Sequence, residues 1–234
     1  MPRLIAAIVR HGAYRQLPHT PSAHQPFPLV EAGERQAGEA AASQRDLLDE
    51  QALALCAQVN SSQLLRAWQT ARVIMQQLRD LFAGSPEIAT FDELAERSLG
   101  SAANLTIPQI EAIVREDPRY PELPPDWKSN SHFRLPLQGA ESLLQAGERV
   151  ASHLRSQMAA LAGTAGADTL KLFIGHGAAF RHAAYHLGVL EFDDIRRLSM
   201  HHARPVLLEY REHGPWRHVG GEWKVRGRDS AYTD

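Results

Sequence analysis

An apolar run, Leu4 to Val9, leads directly into Arg10, His11 and Gly12. A guanidinium next to an imidazole suits phosphate chemistry. The cation grips phosphoryl oxygens in bidentate fashion. A neutral imidazole offers one nitrogen lone pair near pH 7 when its other nitrogen is held as a donor. The arrangement recurs along the chain. Leu53 to Val59 leads into NSSQLLRAWQTA, which sets Arg66 in the first turns of a helix with Ser61 and Ser62 as N-caps. Leu170 to Ile174 leads into Gly175, His176 and Gly177 before another helix. Anions bind at helix N-termini, and open α/β sheets bind ligands beyond the carboxyl ends of their strands. Arg10, His11, Arg66 and His176 therefore converge if their strands are neighbours.

The elements that must position them follow from hydrophobic rhythm. Leu4 to Val9 has β-branched members and no helical period, which predicts a strand buried on both faces. Leu53 to Val59, Glu87 to Phe91, Leu170 to Ile174 and Pro205 to Tyr210 are further strand candidates. Between them, Leu64, Ala67, Trp68, Ala71, Ile74, Leu78 and Leu81 fall at helical spacing. Further helices are predicted over Glu31 to Leu48, Glu141 to Leu161 and Ala179 to Leu187. Alternating strands and helices predict an α/β fold of three layers, a mainly parallel central sheet flanked by helices.

The chain reads as a single domain over residues 1–234, with loop or cap segments at about 13–30 and 104–138. Nine of the 14 prolines fall within 18–28 and 118–136, which marks these stretches as ordered loops or a small cap rather than strands. His19 and His24 in the first, and Trp127, Lys128, His132 and Arg134 in the second, are candidate anion or ring contacts. His201, His202 and Arg204 before the last strand are further candidate contacts.

Composition excludes several function classes. With 25 Lys and Arg against 27 Asp and Glu, the charge is too balanced for an electrostatic nucleic-acid or membrane partner. Cys56 is the only cysteine, so an internal disulfide and a cysteine metal cluster are excluded. No segment reaches membrane-spanning length, and Leu4 to Val9 is too short for a signal sequence. A cytoplasmic protein is the expectation, with the oligomeric state open and a homodimer compatible. His182 and His186 stand four apart without an acidic partner in a metal-binding arrangement, and read as a helix face.

RHG at 10–12, SSQLLRAWQTA at 61–71, LAERSLG at 94–100, GAESL at 139–143 and GHG at 175–177 resemble, in order and approximate spacing, the histidine phosphatase superfamily. This is the group that includes the cofactor-dependent phosphoglycerate mutases. PLVEAGERQA at 28–37 is similar to the stretch after the family's first loop. The resemblance implies a phosphoglycerate mutase-like fold and a small phosphorylated substrate, with neither metal nor cofactor required. It implies His11 as nucleophile, Arg10, Arg66 and His176 as the phosphate pocket, and Glu96 as general acid, with Glu93 as the alternative. Gly12, Tyr14, Ala178 and His202 are candidate substrate contacts. Gly139, Glu141 and Ser142 read equally as substrate contacts or as a helix start.

Departures from the mutase pattern bear on the subclass. Ala13 and Tyr14 follow RHG where a mutase has an acidic residue and a hydroxyl, and Ala178 follows GHG where a mutase has Asn. The stretch from Ser101 to Asp117 holds Arg115 as its only basic residue, whereas a mutase needs charge to retain a second phosphate. These features favour a phosphomonoesterase. The alternatives are a mutase, a protein phosphohistidine phosphatase and a phosphate-binding module without turnover.

Overall fold

The computed structural model describes residues 2–227. In chain order its elements are β1 (Leu4–Arg10), α1 (Glu31–Gln51), β2 (Ala54–Leu55), β3 (Gln58–Ser62), α2 (Leu65–Gln77), β4 (Glu87–Phe91), α3 (Ile107–Glu116) and α4 (Leu143–Ala162). There follow β5 (Thr169–Gly175), α5 (Gly177–His186), α6 (Phe192–Arg197), β6 (Leu198–Ser199), β7 (Pro205–Glu209), β8 (Arg217–Gly220) and β9 (Lys224–Val225). The main sheet has the order β4-β3-β5-β1-β7-β8, with β2 also pairing with β5. β1, β2, β3, β4 and β5 pair in parallel, while β7 and β8 add antiparallel strands beyond β1.

The predicted strand at Leu4 to Val9 is buried throughout because both faces of the sheet are covered. Its residues alternate between two cores, as the pleat requires. Ile5, Ala7 and Val9 pack with Ala37, Ala41 and Leu48 of α1 and Ala67, Ala71 and Ile74 of α2. Leu4, Ala6 and Ile8 pack with Val150, Leu154 and Met158 of α4 and Ala179, Phe180 and Ala183 of α5. The result is the expected α/β architecture of three layers. Among the described residues no helix is long and apolar enough to cross a membrane.

Several expectations need correction. The run Leu53 to Val59 is two strands, β2 and β3, the second continuing through Ser62. Ser61 and Ser62 are therefore strand residues and not N-caps; α2 starts at Leu65 without a side-chain cap. The helix predicted at Glu141 begins at Leu143, where Ser142 and Gln145 form a capping box. α5 begins at Gly177, two residues earlier than predicted, which makes His176 its N-cap. The 104–138 segment is not only loop: Thr106 and Gln109 form a capping box that opens α3. Ile110 of α3 packs with Trp127, Leu135, Leu99 and Ala23 in a third apolar cluster, which gives the cap a small core of its own. β8 was not predicted; Trp216 beside it is buried, its ring 5.4 Å from that of Tyr210.

Candidate active site

Strand register builds the site. β1 and β5 run parallel with Arg10 opposite Gly175, so His11 and His176 leave the sheet side by side. The backbone N–H of His11 donates to the Gly175 carbonyl at 3.0 Å, and the two imidazole centroids are 5.1 Å apart. On the other side of β5, β3 pairs Ser61 with Ile174 and brings Ser62 to His176.

Arg66 ties these strand ends together. Its side chain is fully buried. Nη1 donates to the Gln25 carbonyl at 2.7 Å, and Nη2 to the carbonyls of Ser22 and Ala23 at 3.0 and 2.8 Å. Nε donates to Nε2 of His11 at 3.1 Å, and Nη2 to Nδ1 of His176 at 3.2 Å. The Tyr14 ring covers the guanidinium at 4.5 Å.

These partners fix both tautomers, because a guanidinium only donates and a carbonyl only accepts. Nδ1 of His11 carries the proton and donates to the Gly12 carbonyl at 2.7 Å, which leaves the lone pair on Nε2. His176 is reversed: Nδ1 accepts from Arg66, and Nε2–H donates to the Ser62 hydroxyl at 3.0 Å. Burial, then the charges of Arg66 and Arg10, hold His11 well below the usual imidazole pKa, against a smaller opposing contribution from the Gly12 hydrogen bond. Burial and then Arg66 do the same to His176. Both rings are neutral at pH 7.

Glu96 is buried at the amino end of α5, immediately beyond His176. Its carboxylate accepts backbone N–H bonds from Arg97 at 2.9 Å, Ala179 at 3.0 Å and Ala178 at 3.3 Å. Glu93 is exposed, with its own carbonyl held by Arg149.

The other predicted residues divide. Tyr14 and His202 both lie against His11, with centroid separations of 5.3 and 5.8 Å. Nη1 of Arg10 donates to the Met200 carbonyl, and the Arg10 side chain crosses Gly177 so closely that a Cβ there would sit 3.0 Å from its Cδ. Gly12 serves packing: a Cβ would sit 2.4 Å from the Gly33 carbonyl oxygen of α1. Ala178 contributes its backbone N–H to Glu96. Glu141 and Ser142 serve the helix start and an ion pair with Arg149. His19 and Arg134 are exposed, and Trp127 belongs to the cap core. His182 and His186 turn to separate partners, Ser131 and Glu148.

Sequence reasoning gave no role to two supports, and named a third, His24, only as a candidate anion or ring contact. Thr70 accepts the Gly12 N–H at 3.0 Å and donates to the Arg66 carbonyl at 2.8 Å. The ring of His24 bonds the Glu96 carbonyl at 3.2 Å. The carbonyls of residues 22, 23 and 25 hold Arg66. Thr70 sits one turn after Arg66, a spacing that could have signalled it; the carbonyls carry no sequence signal.

A mainly parallel sheet whose strand ends gather two neutral imidazoles beside a buried guanidinium is an arrangement suited to a phosphoryl group. The family model of the histidine phosphatase superfamily (branch 1) matches residues 6–220, and the chain belongs to that superfamily. Similar solved structures include a mycobacterial glucosyl-3-phosphoglycerate phosphatase, 21% identical over 96% of this chain and 98% of that one, with TM-score 0.64. A phosphoglycerate mutase from Bacillus anthracis is 15% identical over 93% and 92%, with TM-score 0.68. An alpha-ribazole phosphatase from Shigella flexneri is 16% identical over 89% and 91%, with TM-score 0.63. These likenesses concern the fold. No curated protein matches the sequence.

Proposed function

We propose that the chain is a phosphomonoesterase that hydrolyses a small phosphorylated metabolite through a phosphohistidine on His11. The observation that carries this reading is the Nε2 lone pair of His11, held in the neutral tautomer by Gly12 and met by Arg66 at 3.1 Å. Nε2 attacks phosphorus, and the bond from phosphorus to the ester oxygen breaks. The leaving alkoxide takes a proton from Glu96, protonated in this half-reaction. Water then attacks the phosphohistidine and gives a proton to the Glu96 carboxylate, which releases inorganic phosphate and restores Nε2. Arg66, Arg10 and His176 surround the transferred group, and positioning with charge stabilisation is most of what phosphoryl transfer demands. The scheme needs no metal.

The departures at Ala13, Tyr14 and Ala178 favour hydrolysis over a mutase reaction. Both phosphatases and a mutase share the fold, so the distinction rests on chemistry at the site. The experiment is hydrolysis of para-nitrophenyl phosphate in EDTA by the parent and by His11→Ala. Turnover is expected in the parent and absent in the variant. Equal turnover in both would sink the phosphohistidine scheme, and its absence in the parent would favour a binding module.

A further inference from the structure

Three rings surround His11. Tyr14 covers the Arg66 guanidinium and His176 is bonded to it, with centroids 5.3 and 5.1 Å from that of His11. The third is His202, half-buried, 5.8 Å away and tilted by 36°. No step of the proposed reaction uses it.

The segment that carries His202 joins β6 to β7 and is fastened to the end of β1 at two points. Nη1 of Arg10 donates to the Met200 carbonyl at 3.1 Å, and the Ala203 N–H donates to the Arg10 carbonyl at 2.8 Å. Immediately after His202 the chain turns at Ala203 with φ +54°, a left-handed conformation that glycine adopts more easily. The Ala203 methyl is nevertheless buried in the core that holds Val9 and Leu207, so packing maintains the turn. Strain of this kind persists where surrounding structure over-determines it, and it gathers at ligand sites. After burial, Arg66 and Arg10, the charge of His202 also lowers the pKa of His11, so it is felt at the nucleophile.

Two cavities border the site, and they share no lining residue. One, of about 720 Å³, opens beside Glu96 and under the cap, on the path of an alcohol protonated by Glu96. The other, of about 910 Å³, lies between α1 and the segment before β7, and is lined by Arg10 and His202. His202 therefore stands outside the path of the alcohol. What lies within reach of both Arg10 and His202 is the group transferred to His11.

We infer that His202 is a phosphate-binding residue: a ring N–H of His202 donates to an oxygen of the phosphoryl group while it sits on Nε2 of His11, and to inorganic phosphate before release. An imidazole keeps at least one N–H donor whether neutral or charged, so the contact survives a change of protonation. No bond to phosphorus forms or breaks at His202. This rests on the phosphomonoesterase reading and assigns His202 to the transferred group rather than to the alcohol.

The test reads phosphate and alcohol separately, in EDTA. Inorganic phosphate is titrated calorimetrically into the parent, His202→Ala and His202→Gln. It is also added to isotopically labelled parent while the ring resonances of His11 and His202 are followed, each assigned by its loss in His11→Ala or His202→Gln. Phosphate is expected to shift both rings. Its affinity should fall about tenfold or more in His202→Ala, the scale of one charge-assisted hydrogen bond. His202→Gln keeps an amide donor and should recover part of that loss, and it serves the comparison if the Ala variant does not fold. In the variants kcat/KM should fall by equal factors, within about twofold, for para-nitrophenyl phosphate and glycerol 3-phosphate, because the phosphoryl group is common to both. A shift of His11 without one of His202, unchanged phosphate affinity in the variants, or unequal losses on the two esters overturns the assignment. Absence of any effect of phosphate on His11 overturns the phosphomonoesterase reading instead, so the two failures are distinguishable.

Discussion

Nε of Arg66 donates to Nε2 of His11 at 3.1 Å, so the buried cation is bonded to the atom proposed to attack phosphorus. A phosphoryl group on Nε2 would carry its oxygens into the reach of the same guanidinium. A lysine ammonium is a single point charge and cannot span the contacts that Arg66 makes to residues 11, 22, 23, 25 and 176. Arg66→Lys is expected to lower kcat/KM for para-nitrophenyl phosphate by about 100-fold or more, on the scale of losing one transition-state donor. It should also lower the thermal midpoint, because loop carbonyls lose their donors. Retention of activity within about threefold would show that Arg66 only holds the loop.

His11 should be neutral well below the pH at which an ordinary histidine charges. Burial and the Arg66 and Arg10 charges depress its pKa, so the nucleophilic form persists as pH falls through 6.5. The ring resonances of His11, assigned by their loss in His11→Ala, are expected not to titrate between pH 7.5 and 5.5. The kcat/KM profile, corrected for ionisation of the substrate, should show no limb near 6.5 that belongs to this residue. A midpoint at 6.5 in the His11 titration would contradict the buried, cation-flanked site.

How much of this was legible in the sequence depended on whether the signal was local. β1 was legible because a strand covered on both faces reads as a continuous apolar run. β3 was cut short because Asn60, Ser61 and Ser62 look like a cap, whereas Asn60 is buried and bonded to His153 from α4. That partner is 93 residues away and leaves no mark near Asn60. β8 opens with exposed Arg217 and His218, so it lacks the buried run that marked β1. At the candidate site, His11, Arg66 and His176 were named from type and position, and the register of β1 with β5 brings the two imidazoles together. Basic residues from outside Ser101 to Asp117, among them Arg97, Arg181, Arg196 and Arg226, line the cavity beside Glu96. That weakens the charge-based argument against a mutase and leaves the residues next to His11 and His176 to carry the distinction.

Acid should destabilise the fold through its buried neutral histidines. His182 is fully buried and held at about 3 by burial and by Arg181. Its unfolded form binds a proton below about 6.5 while the folded form does not, so its contribution is present above 6.5 and is lost as pH falls. Between pH 7 and 5 this amounts to about 2 kcal/mol. Urea denaturation at those two pH values is expected to show a larger loss in the parent than in His182→Gln. An equal pH dependence in the two proteins would mean that His182 is already protonated in the fold.

Glu96 should matter most after the first bond breaks. para-Nitrophenolate leaves without protonation, so phosphorylation of His11 by para-nitrophenyl phosphate needs little from an acid, while hydrolysis of the phosphohistidine still needs a base to take the proton from water. Glu96→Gln keeps one oxygen, which serves the Arg97 and Ala179 N–H groups that share Oε1, but cannot accept that proton. The variant is expected to release a burst of nitrophenolate close to one equivalent per chain, followed by turnover slowed about 10² to 10⁴-fold. Acid-labile, base-stable phosphate should accumulate on the protein during the slow phase. For glycerol 3-phosphate, whose alkoxide leaves poorly, the burst itself should disappear, because both halves of the reaction then require the carboxyl group. Slow turnover on both substrates with no burst on either would place the defect in binding and remove Glu96 from proton transfer, whereas undiminished turnover would transfer the role to another group.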